Sequence, residues 1–172
     1  MGGFLRRMVA LWASVLIVLC STGASVVALE PAKGPVILVV SGAIANTNAP
    51  GEARFDQAML ERLGLTTVVT ETAWTEGQVK FEGVRARDLM AAVGAKGREV
   101  LAIALNDYKA PIPMSDFDRE DVLLAFRQDG KALRVRDRGP IWIIYPIEPG
   151  AAGHSHETRG KMVWQLKELR VK

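Results

Sequence analysis

The chain has 172 residues, with 22 Lys and Arg against 19 Asp and Glu, a formal charge of +3, and a single cysteine. Two of the basic residues and no acidic residue fall in 1–28, so the remainder carries 20 basic against 19 acidic groups. So balanced a surface lacks the concentrated positive field that nucleic acid or an anionic membrane face requires.

The first stretch reads as a targeting segment. Arg6 and Arg7 precede a nearly unbroken apolar run from Met8 to Cys20, and Val26 and Ala28 stand where a secretory cleavage site wants small residues. The apolar run is shorter than the roughly 20 residues that span a bilayer, so an uncleaved anchor is the second reading. The general secretory route is preferred over the twin-arginine route, because no Ser or Thr precedes the arginine pair. Bulky Leu19 argues against lipid attachment at Cys20. The expected product is a periplasmic or secreted protein beginning near Leu29. It has no cysteine, and hence no disulfide, thiolate ligand or cysteine nucleophile. Residues 29–172 are expected to form one domain, long enough to bury a core without cross-links.

In chain order, 34–44 is a continuous β-branched apolar run, predicted as a strand buried on both faces. A loop rich in turn residues follows at 46–53. Phe55, Met59, Leu60 and Leu63 recur at helical spacing, with Gly64 placed to end the helix. The run 66–71 is a predicted strand, 70–76 a polar turn holding Trp74, and 79–84 a second strand with Val79 and Phe81 on one face. Ala86, Leu89, Met90 and Val93 mark a second amphipathic helix, stopped at Gly94. Residues 99–107 read as a buried strand ending in polar groups. Residues 121–137 read as a hairpin about Asp129-Gly130, and 140–146 as another buried strand. The segment 162–172 alternates but slips phase between Leu166 and Leu169, as a bulged closing strand would. Strands dominate and too few helices separate them for a doubly wound fold, so the predicted class is α+β with two short helices.

The order of these pieces resembles a known family. "FEGVRARDLMAAVGA" (81–95) is similar to the F-x-G-V-x-L-x-D-L-L-x-x-V-G stretch of the sulfite oxidase-type molybdopterin-binding domain. "LAIALNDYKAPIPMSDFDREDVLLAFRQDGKAL" (101–133) resembles that family's strand ending in Asp-Gly-Tyr, followed by its acidic loop and hairpin. "DRGPIWIIYP" (137–146) resembles its glycine-proline loop, and "WQLKELRV" (164–171) its closing strand. The resemblance implies a molybdopterin pocket where strand ends and turns converge, at Trp74, Asn106, Asp107, Tyr108 and Arg138.

Departures from the family pattern accompany it. In enzyme members the turn matching roughly 70–76 carries a molybdenum-binding cysteine. Here it reads Thr70, Glu71, Thr72, Ala73, Trp74, whose hydroxyls and carboxylate are hard donors. The family's Asp-Gly-Tyr is Asn106-Asp107-Tyr108, without the glycine. The expectation is therefore an exported, degenerate member serving as a small-ligand binding or accessory protein, with no cofactor favoured over bound molybdopterin. The alternatives are an active molybdopterin oxidoreductase without a protein thiolate, and an interaction module for a membrane-bound sensor.

Other groupings have ordinary readings beside functional ones. His154 and His156 could pair on a metal, but three flanking glycines favour a solvated loop. Asp116, Asp118, Glu120 and Asp121 lack the spacing of a calcium loop and read as a capped turn. Arg134 and Arg136, on one predicted strand face near Lys131 and Arg138, could hold an anion, though a solvated strand face reads the same way. Ser41 has no partners arranged as a triad.

Overall fold

The computed structural model describes residues 29–147 and 153–172, so the expected targeting segment at 1–28 lies outside the described residues. Two sheets share one continuous apolar core. The first sheet contains β1 (Leu38–Gly42), β2 (Glu52–Phe55), β5 (Glu99–Ala104), β6 (Lys109–Pro113) and β10 (Leu166–Val171), in the order β2-β1-β10-β5-β6. The second contains β3 (Leu65–Thr70), β4 (Val79–Arg85), β7 (Leu123–Gln128) and β8 (Lys131–Ala132) in that order. In it β9 (Trp142–Ile144) also pairs with β7. Chain-terminal strands β1 and β10 pair in parallel at the centre of the first sheet, while the other pairings are antiparallel. The class is α+β, and the phase slip expected near the C-terminus is a register shift of β10 on β5 between Leu166 and Glu168.

Local sequence explains most element ends. Helix α1 (Gln57–Arg62) starts where the Asp56 carboxylate accepts the Met59 N–H at 2.8 Å, and Gly64 adopts a φ of 123° just after it. Phe55, expected inside this helix, closes β2 instead, its side chain still buried. Helix α2 (Ala86–Ala92) buries Ala86, Leu89 and Met90, and Gly94 ends it with a φ of 59°. At Gly83 the β4 and β7 backbones approach so closely that a Cβ would stand 2.1 Å from the Leu124 carbonyl oxygen.

Four expectations need correction. Strand β1 is not buried on both faces: Leu38 and Val40 point into the core, whereas the half-buried Ser41 donates to Glu168 Oε1 at 2.8 Å. Among the described residues there are four short helices rather than two, the additional ones being α3 (Met114–Arg119) and α4 (His156–Lys161). Helix α4 buries none of its own residues and so leaves no apolar periodicity to read. It starts at Ser155, whose hydroxyl accepts the Thr158 N–H at 3.0 Å. The segment around His154 is therefore partly helical rather than a plain loop. Finally, the return strand of the predicted hairpin stops at Ala132. Leu133 is drawn into the core, and Val135–Asp137 forms a 3-10 turn held by Arg134 Nε donating to Asp137 Oδ2 at 2.7 Å. Arg134 and Arg136 thus do not share a strand face.

Candidate functional site

The β3–β4 connection is a turn stitched by threonines. The buried Thr70 hydroxyl accepts the Ile147 N–H at 2.9 Å and donates to the Glu71 carbonyl at 3.3 Å. The Thr72 N–H donates to Thr75 Oγ1 at 2.9 Å, the two hydroxyls lie 3.2 Å apart, and Thr72 Oγ1 accepts the Trp74 N–H at 3.2 Å. These hydroxyls are engaged by one another and by the backbone of the turn and of Ile147, and the turn they hold packs Trp74 against the core.

Trp74 meets two more tryptophans edge-on. Its ring centroid is 5.2 Å from that of Trp164 and 6.1 Å from that of Trp142, and Trp142 in turn packs edge-on against Phe81 at 5.5 Å. The buried Trp142 indole N–H donates to the Met162 carbonyl at 3.2 Å. The Arg138 guanidinium lies 5.0 Å from the Trp142 ring centre and 5.5 Å from that of Trp164, and donates to the Trp74 carbonyl at 3.4 Å. Arg138 itself holds a left-handed φ of 72°.

On one side of this cluster lies a cavity of about 440 Å³, walled chiefly by Trp74, Asn106, Tyr108, His156, Arg159 and Trp164. Tyr108 Oη donates to the Gly160 carbonyl at 3.0 Å, tying the β5–β6 turn to α4. Arg159 Nη1 donates to the His154 carbonyl at 2.9 Å, which keeps it at the rim. Beyond Trp164 is a wider depression of about 1060 Å³ with Lys131, Arg134, Arg136 and Arg138 on its wall, partly offset by Asp129 and Asp137. Trp164 borders both.

Of the predicted residues, Trp74, Asn106 and Tyr108 meet at the first cavity. Arg138 borders the second and reaches the first only through the tryptophans. Asp107 borders neither. Its carboxylate is exposed and bonded to Lys167 Nζ at 2.7 Å, a contact that holds its pKa below the ordinary value. Asp107 nevertheless keeps a φ of 63°, so the backbone shape a glycine would favour persists without the glycine. Sequence reasoning missed His156, Arg159 and Trp164 as lining residues. Trp164 was legible only as a strand-closing motif, and the other two sit on the unforeseen α4.

The remaining groupings resolve into structural roles. His154 Nε2 donates to the Tyr145 carbonyl at 2.6 Å, whereas His156 faces the cavity, so the two imidazoles do not converge. Asp116 accepts from Tyr145 Oη at 3.0 Å and from Lys161 Nζ at 3.1 Å. Burial, then the Asp116 charge, push the Tyr145 phenol far above its ordinary pKa. The Glu157 carboxylate, helped by Asp116, raises that of Lys161. Asp121 pairs with Arg85 and Arg87 at 2.9 and 3.1 Å. Among the described residues, no group of three or more His, Cys, Asp or Glu is placed to hold a metal ion. Among them, too, no helix is long and apolar enough to cross a membrane.

The family described as "Oxidoreductase molybdopterin binding domain" matches residues 52–155, more than half of the chain. Among solved structures, the sulfane dehydrogenase SoxCD from Paracoccus pantotrophus is similar, with a TM-score of 0.60 at 24% sequence identity. The match covers 84% of this chain and 40% of that one. The chain thus spans well under half the length of this relative, and the likeness is one of fold. No curated protein matches the sequence.

Proposed function

The chain belongs to the oxidoreductase molybdopterin binding domain family, and from that premise we propose that it is an exported binding or accessory domain. In this reading it keeps the family fold without thiolate-held molybdenum. The observation that carries the reading is the threonine-stitched turn. Residues 29–172 contain no cysteine, and the hydroxyls of Thr70, Thr72 and Thr75 already bond one another or backbone. Neutral hydroxyls engaged in this way are poor donors to a soft-ligand redox metal. The donor set at the turn does not fit the metal.

The cavity beside Trp74 fits a different kind of occupant. A volume of about 440 Å³ is within the range of small-molecule sites, and its wall is mostly apolar, with the rings of Trp74, Tyr108 and Trp164 and a few polar groups. A planar heterocycle could stack on Trp74 or Trp164, with its anionic substituent at Arg159. Export, expected from residues 1–28, supports a periplasmic role beside a membrane-bound partner protein.

The test is elemental analysis combined with pterin fluorescence after acid release, on protein purified from a host that makes molybdopterin. Molybdenum well below one per chain is expected, and stoichiometric molybdenum would overturn the reading. The second reading, an active oxidoreductase without a protein thiolate, draws on Lys131, Arg134, Arg136 and Arg138, which offer charge for a cofactor phosphate. Pterin recovered together with metal would favour it. Pterin without metal would identify the ligand of a binding domain.

A further inference from the structure

Most strand edges of the two sheets are guarded. On β2, the Asn48 side chain accepts the Arg54 N–H at 2.7 Å and donates to the Arg54 carbonyl at 2.9 Å, occupying the outer backbone groups. Strand β6 carries Pro111 and Pro113, which have no N–H to offer. Strand β8 is two residues long, and the Ile143 N–H of β9 is taken by the Val163 carbonyl at 2.9 Å.

Strand β3 has none of these devices. Its six residues, Leu-Thr-Thr-Val-Val-Thr, include no charge, proline or glycine. Among the described residues, its backbone pairs only with β4. Leu65 and Val69 are 49% and 56% exposed and lie with the exposed Thr67 on one face. An uncharged, β-branched edge of this kind is a template for another strand.

We propose that β3 pairs antiparallel with β3 of a second copy about a two-fold axis, joining the two β3–β4–β7 sheets into one. The charges at its ends favour this occupant. Arg62 closes α1 just before β3 and Glu71 follows it directly. Both are exposed, and neither is in an ion pair among the described residues. Antiparallel pairing brings the Arg62 end of each strand to the Glu71 end of the other, at both ends of the interface. A parallel arrangement would set like charges together. With the axis at Thr67, the pairing also sets Leu65 of each copy opposite Val69 of the other on one face of the joined sheet, a cross-strand contact between apolar side chains. A single strand edge is a small interface, so the dimer is weak, with a Kd on the order of 10–1000 μM.

Sedimentation equilibrium of the purified protein, from about 10 μM to about 1 mM, reads this association directly. A reversible monomer–dimer equilibrium is expected. Val69→Lys, at an exposed position, should weaken it by about tenfold or more while leaving the circular dichroism melt in place. Arg62→Glu and Glu71→Arg should each weaken the dimer, and the two together should restore it. A monomer throughout the range overturns the proposal, as does a dimer unmoved by Val69→Lys or a double reversal that fails to restore association. Capture of an unrelated extended peptide by a protein that stays monomeric would reassign the edge and overturn it equally.

Discussion

Asp56 joins three backbone segments through one carboxylate. Oδ1 accepts the Met59 N–H, and Oδ2 accepts the N–H groups of Lys33 and Gly34, each at 2.8 Å, in a buried setting. The Gly34 bond first, then the Met59 bond, hold its pKa below the ordinary 3.8. Because the folded value is the lower one, the stabilisation is fully present above the unfolded pKa and is lost as pH falls through the folded value. Asp56→Ala removes a helix cap and strands buried donors, and should cost about 2 kcal/mol at neutral pH by chemical denaturation. The gap between wild type and variant should narrow only below about pH 4, where the unfolded carboxyl begins to protonate. Asp107 makes a complementary case. It sits at a φ of 63°, and among the described residues its carboxylate bonds only Lys167, in an exposed ion pair. Asp107→Gly should raise the thermal midpoint, since glycine meets no Cβ penalty in that conformation. A lowered midpoint would mean that the Lys167 contact outweighs the backbone strain.

At the scale of elements, two sites test how strands are joined. Asp129 and Gly130 connect β7 to β8 with φ values of 49° and 75°, the paired left-handed conformations of a tight hairpin turn. The Asp129 N–H also donates to the Lys80 carbonyl at 2.8 Å, which stitches the turn to β4. Proline at 129 can supply neither the angle nor the donor. Asp129→Pro should destabilise by about 1–3 kcal/mol, measured as a shift in denaturation midpoint at constant slope. Gly83 is needed for space rather than for angle. A methyl group there would meet the Leu124 carbonyl 2.1 Å away, backbone against backbone. Gly83→Ala must part β4 from β7 and should cost about 3 kcal/mol or more. An unchanged midpoint would mean that the two strands separate freely.

For the whole molecule, the governing feature is that one apolar cluster takes residues from both sheets: Leu38 and Val40 from β1, Phe81 from β4, Leu123 from β7, Trp142 from β9, and Leu166 and Leu169 from β10. Neither sheet keeps a core of its own. Unfolding should therefore be a single transition, with tryptophan fluorescence, which reports Trp142 and its neighbours, coincident with far-ultraviolet circular dichroism. Separated transitions would show two units. The tryptophan cluster also ties function to the same core. Trp74 and Trp164 border the cavity while packing on the buried Trp142. A ligand stacked there should therefore raise the midpoint as it quenches fluorescence.

Features that depend on local pattern were legible in the amino-acid order. The helix of 86–92, the Asp129-Gly130 turn and the phase slip before Leu169 each follow from apolar periodicity or backbone preference among near neighbours. Three of the five residues named for the pocket, Trp74, Asn106 and Tyr108, came from an ordered resemblance and do meet at one cavity. Other features arise only from long-range packing. Strand β6 was unreadable because its two prolines argue against a strand, and only its place at a sheet edge makes them harmless. Helix α4 buries nothing of its own, so His156 and Arg159 reach the cavity by the way α4 packs on β6. Leu133 leaves the hairpin for the core and carries Arg134 and Arg136 out of strand register. That β3 is an edge was equally hidden, since its apolar residues look the same whether a neighbour covers them or not. Each of these depends on which distant segment lies alongside, and periodicity within a segment carries no record of that.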